Sequence, residues 1–183
     1  MNAFHDSPPR KLLWFALLLA GSASGQKQPV SLPSSCGVKE TSFDVKLDNT
    51  KHSLAQPGPG KALIYFIQQA GSRLNQINWR VPTVLLGIDG AWVGAYNESA
   101  WFAMEIAPGE HHVCALMQGQ MGLLIRDQVE TADFVAEANH VYYFRTREIA
   151  ATNTEYLFLD AVDRDQALYR IASYPRSVSK QKK

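Results

Sequence analysis

Two cysteines, Cys36 and Cys114, and the adjacent pair His111-His112 are the side chains of this 183-residue chain best suited to chemistry. A thiolate beside an imidazole is a nucleophile and its base. On an extended strand His112 and Cys114 are two positions apart and share a face. No Asn or Asp stands out to orient that histidine, however. An even cysteine count in an exported chain points instead to a disulfide. A Cys36–Cys114 bond would close a long loop and contribute at most about 4–5 kcal/mol on the chain-entropy model. The disulfide is therefore the expectation, with a Cys114 nucleophile as its rival. Strand neighbours point to opposite faces, so His111 and His112 cannot easily hold one ion. His140 or His52 would have to arrive from elsewhere, and we expect no metal.

The carboxylates read similarly. Asp160, Asp163 and Asp165 have the alternation of a calcium loop but lack its glycine. Asp163 makes better sense as a helix N-cap. Glu130, Asp133 and Glu137 resemble a paired-carboxylate site only if their separation is right, and they read more simply as solvated loop residues. Nucleophile-elbow, phosphate-loop and zinc-protease motifs are missing from the sequence. No catalytic residue and no cofactor is expected. The aromatic residues Trp79, Trp92, Trp101 and Phe102 lie in or beside loops and a hairpin. Exposed on a sandwich, such rings stack on sugars or anchor a protein partner; otherwise they fill the core, the commoner fate. Trp79, Trp92, Trp101 and His111 are the candidate binding residues, with Trp79 the least strand-like. Asn97-Glu98-Ser99 matches a glycosylation acceptor, relevant only in a host that modifies such sites.

Strands must position these groups. Asp89-Gly90 separates Thr83–Ile88 from Ala91–Tyr96 and marks a two-residue hairpin, with Ile88 facing Ala91, Gly87 facing Trp92 and Leu86 facing Val93. Lys61 to Gln68 reads as a central strand, apolar and too short for a core helix. Trp101–Glu105, a Pro108-Gly109 turn and Glu110–Met117 follow. Leu123–Ile125, Asp133–Ala136, Val141–Arg147 and Tyr156–Asp160 are further strands. Period-3.6 spacing of Ala167, Leu168, Ile171 and Ala172 predicts a helix over 164–173, stopped by Pro175. The fold class is all-β: an antiparallel β-sandwich of immunoglobulin- or transthyretin-like layout with a short C-terminal helix.

The domain reading follows from composition. Residues 12–20 are an uncharged apolar run, with Arg10-Lys11 before it and small residues after it. This is the pattern of a signal peptide over 1–25, too short to span a membrane. Cys36 lies well past the cleavage point, so no lipidation is expected. Residues 26–60 read as a Pro-rich linker with one strand, Phe43–Asp48. Residues 61–175 are the sandwich, and 176–183 are a solvated basic tail holding Arg176, Lys180, Lys182 and Lys183. The composition, 46% hydrophobic and 19% charged with a net charge of +1, excludes a disordered chain and a multi-span membrane protein. It offers no basic field for nucleic acid.

The runs Pro59-Gly60-Lys61-Ala62-Leu63-Ile64-Tyr65-Phe66, Ile88-Asp89-Gly90, Val93-Gly94, Ala107-Pro108-Gly109-Glu110-His111 and Val141-Tyr142-Tyr143-Phe144, in that order, carry a resemblance. The stretch from Pro59 to Tyr174 resembles the uncharacterised bacterial envelope family catalogued as domain of unknown function 2846. The resemblance implies a secreted or lipid-anchored β-sandwich without established catalysis, and it transfers no functional residues. Many members of that family are lipoproteins, and the missing lipidation cysteine departs from the pattern. The expectation is an exported, periplasmic or extracellular, non-enzymatic module binding or scaffolding an envelope protein or glycan. The alternative is a small envelope hydrolase or thiol enzyme using Cys114 with a nearby His.

Overall fold

The computed structural model describes residues 31–71, 82–118, 127–151 and 154–183. In chain order these form β1 (Phe43–Asp48), β2 (Ala62–Gln69), β3 (Thr83–Ile88), β4 (Ala91–Tyr96), β5 (Ala100–Ile106), β6 (Gly109–Gln118), β7 (Gln128–Ala136), β8 (Val141–Ala151), β9 (Thr154–Ala161), α1 (Arg164–Ser173) and β10 (Arg176–Gln181). One sheet has six strands in the order β1-β10-β5-β2-β8-β9, and the other has four in the order β4-β3-β6-β7. Alternate side chains of both sheets meet between them, with Ile64, Phe66, Leu86, Tyr96, Val113 and Phe144 among the core. The expected signal sequence 1–25, the strand expected over Leu123–Ile125 and Trp79 lie outside the described residues.

The sandwich with a C-terminal helix is as expected, but its layout is not wholly antiparallel. Strand β2 runs parallel to β8, and β10 runs parallel to β5. These pairings make α1 a crossover between two strands of one direction, β9 and β10, laid over the outer face of the larger sheet. There its Ala167 and Ile171 pack on Leu63, Tyr65, Ile67 and Trp101. Strand β2 is thus covered on both faces, which is why its sequence is apolar almost without alternation. Asp163 caps the helix by accepting from the Gln166 N–H at 2.9 Å.

The Asp89-Gly90 hairpin forms with φ values of 51° and 85°, the left-handed pair that a type I′ turn requires. Ile88 faces Ala91 and Gly87 faces Trp92, as expected. Leu86 faces Gly94 rather than Val93, because a bulge shifts the register between Leu86 and Gly87. The Pro108-Gly109 turn is not a hairpin. It carries the chain from β5 in one sheet to β6 in the other, since β5 already has β2 and β10 on its two sides.

Two boundaries move. Residues 176–183 are not a free tail: 176–181 pair with β1 along its whole length. Their inward residues are serines rather than apolar groups. Ser177 Oγ donates to the Ala95 carbonyl at 2.8 Å, and Ser179 Oγ accepts from the Ala95 N–H at 3.0 Å. These bonds satisfy the N–H and carbonyl of Ala95 on the outer edge of β4. On the opposite flank the Leu157 N–H donates to Gln128 Oε1 at 2.8 Å. The described part of the expected linker, from 31 onward, is built into the sandwich. Leu32 and the β1 residues Phe43 and Val45 pack on Leu85, Ala95 and Leu116, the outer face of the smaller sheet. The strand expected at 43–48 forms over those residues.

Candidate functional site

Cys36 and Cys114 form a disulfide with Cα atoms 5.2 Å apart, so the segment around Cys36 is pinned to the outer face of β6. The same segment crosses Trp92. The indole Nε1–H donates to the Val38 carbonyl at 2.8 Å. A Cβ at Gly87 would lie 3.1 Å from the indole and 3.2 Å from the Ser35 carbonyl, so glycine lets the ring lie flat across the strand. Trp101 is buried, with its Nε1–H donating to the Tyr174 carbonyl at 3.1 Å. Neither ring is an open stacking platform.

His111 is held at both ring nitrogens. Nδ1 lies 2.6 Å from Asp89 Oδ2 and Nε2 lies 2.8 Å from the Ala107 carbonyl. The other Asp89 oxygen accepts from the His112 N–H at 2.8 Å. Burial pushes the Asp89 carboxyl up, but the His112 N–H and the His111 ring outweigh it and hold the group below the usual carboxylate range. The aspartate of one turn thereby ties down the histidine after the other. His112 points outward to Asp133 at 2.7 Å, and this carboxylate raises its pKa. Asp160 receives Arg147 at 2.7 Å and Arg145 at 3.2 Å, which together outweigh burial and lower its pKa. Among the described residues no three His, Cys, Asp or Glu side chains are grouped to hold a metal, and no helix is long and apolar enough to cross a membrane.

The concave, aromatic part of the surface lies elsewhere. After β1 the chain crosses the outer face of the larger sheet as a strap, residues 49–57. The Tyr65 hydroxyl accepts from the Ala55 N–H at 2.8 Å, and the His52 ring stands edge-on to Trp101 with centroids 6.0 Å apart. Burial raises the Tyr65 pKa, partly offset by the Ala55 bond. At the start of the strap Thr50 donates to Asp48 from its hydroxyl and its N–H, at 2.7 and 2.9 Å, holding that carboxyl below its usual range. The Gly58 N–H donates to Glu105 at 2.7 Å at the other end.

Beneath the strap runs a row of rings. Trp101 and Tyr65 are 5.8 Å apart, and Tyr65 and Tyr143 are stacked at 5.5 Å. Among the described residues three clefts open around it. One of about 530 Å³ lies between the strap, Tyr143 and the first turn of α1. A second, also about 530 Å³, lies between the beginning of the strap and the last turn of α1. The third, about 390 Å³, lies under the strap towards Glu105 and Arg176. Trp101 and Tyr65 are buried, so the half-buried Tyr143 is the ring of the row that can stack on a ligand, with polar side chains of the clefts to hydrogen-bond its substituents. Of the candidate binding residues that are described, Trp101 borders these clefts, whereas Trp92 and His111 serve the disulfide face and the turns. Sequence reasoning missed Tyr65, Tyr143 and His52. The parity of β2 and β8 places both tyrosines on one face, but nothing in the pattern of 49–57 shows that it crosses them.

Comparison of the chain with family models, with curated proteins and with solved structures yields no match.

Proposed function

We propose that this protein is an exported, non-enzymatic β-sandwich module of the bacterial cell envelope, binding a protein or glycan partner at the clefts beside the strap. The clefts on either side of the strap, walled by the half-buried Tyr143 and the exposed Leu54 over a buried row of rings, carry the reading. The Cys36–Cys114 bond supports export, since such bonds persist in oxidising compartments. The resemblance of the stretch from Pro59 to Tyr174 to the envelope family supports the same reading. The rival thiol enzyme has less support: Asp133 supplies His112 with an orienting carboxylate, but the Cys114 sulfur is bonded to Cys36 and buried.

The test is site-specific photocrosslinking in the native envelope. A photoreactive residue at Leu54, on the strap and exposed, should capture one reproducible partner, whereas the same residue at exposed Val38 on the opposite side should not. Equal or absent capture at the two positions overturns the proposal.

A further inference from the structure

The cleft between the strap, Tyr143 and α1, like the one at the beginning of the strap with its Lys51 and His52, is lined by basic side chains without a carboxylate, whereas the third holds Glu105. The basic side chains of the first are Arg164 and His140. Arg164 is exposed and forms no ion pair or hydrogen bond among the described residues. Arg170 is bonded to the Tyr174 hydroxyl, Arg145 and Arg147 are bonded to Asp160, and Arg176 lines the third cleft together with Glu105. His140 is partly answered by Glu137, at 3.6 Å, outside the cleft wall. The amides of the exposed Gln56 and Asn139 are in the lining, and the half-buried Tyr143 with Leu54 and Leu168 supplies the apolar part.

An apolar ring face, two neutral amides and one unpaired guanidinium define a complementary ligand. It has a ring whose C–H face lies on tyrosine, hydroxyls for the amides and a single negative charge for the planar fork of Arg164. About 530 Å³ is room for one or two such rings. We infer that this cleft binds an acidic saccharide, with a uronate-type carboxylate on Arg164 and the pyranose on Tyr143. The inference rests on the proposed binding role and names the ligand class for one of its clefts.

The test uses the full disulfide-bonded protein and two probes that differ only at one carbon, methyl β-D-glucuronide and methyl β-D-glucoside, followed by amide chemical-shift titration. The glucuronide should shift residues around 139–143 and 164–168 and bind about tenfold more tightly than the glucoside. Arg164→Gln should bring the two within about twofold, whereas Lys180→Gln, an exposed charge outside the clefts, should preserve the difference. Arg164 is exposed in the first turn of α1, and an unchanged spectrum elsewhere checks that its variant is folded. Equal binding of both probes at this cleft, or a preference that survives Arg164→Gln, overturns the anionic specificity and leaves the module reading standing. Binding of neither overturns the saccharide inference, and the crosslinking at Leu54 separately decides the module reading.

Discussion

Asp89 is the residue on which two turns depend. It occupies a left-handed position of the β3–β4 hairpin, and both of its oxygens reach across to β6. Asn tolerates the same backbone conformation, so Asp89→Asn isolates the loss of charge from the loss of turn geometry. The variant should cost about 1 kcal/mol at neutral pH, a modest figure because the carboxylate is partly exposed. Its pH dependence follows from the lowered pKa. A carboxyl that titrates lower in the folded than in the unfolded state adds stability above its ordinary pKa and loses it as pH falls through the folded value. Urea unfolding should therefore show the native protein and Asp89→Asn converging below about pH 4 and separating above it. Parallel curves at every pH would remove Asp89 as a titrating contributor. The sequence shows the Asp-Gly turn and, separately, the Pro-Gly-Glu-His run. That Asp89 and His111 touch could not be read from it, because 22 positions separate them.

At the scale of elements, β10 shows why periodicity reads some strands and not others. Strand β2 and the hairpin bury apolar side chains, and hydrophobic pattern is a record of burial. Strand β10 carries Arg-Ser-Val-Ser-Lys-Gln, with its apolar Val178 outward and Ser177 and Ser179 inward. It is held by backbone pairing to β1 and by hydroxyls bonded to β4, neither of which leaves an apolar signature. Ser177→Ala leaves the buried Ala95 carbonyl without this donor, and should lower stability by about 1 kcal/mol in denaturant unfolding. No change would mean that the Ser177 hydroxyl adds nothing to what the pairing with β1 and β5 and the Ser179 bond already hold. The helix, by contrast, was legible in both type and bounds, since Asp163, the 167/171 spacing and Pro175 are local signals that tertiary packing did not override.

For the whole molecule, one covalent bond and several long-range coverings decide which surfaces are left open. The Cys36–Cys114 bond spans 78 positions and holds residues 31–41 over the smaller sheet. Reduction should lower unfolding free energy by up to about 4–5 kcal/mol on the chain-entropy model, read as a fall in the denaturation midpoint when reductant is added. Coincident curves with and without reductant would show that the packing of Leu32, Phe43 and Val45 suffices without the bond. By itself the sequence determined the all-β class, the hairpin, the central strand, the helix and the expectation of a disulfide, because each is written in local pattern, turn chemistry or cysteine count. Only the tertiary structure decided the mixed sheet, the sheet change at Pro108-Gly109, the incorporation of both chain segments read as linker and tail, and the aromatic clefts. Those features arise where segments distant along the chain cover one another, and a polar strap over Trp101, Tyr65 and Tyr143 carries no periodicity to announce what it covers.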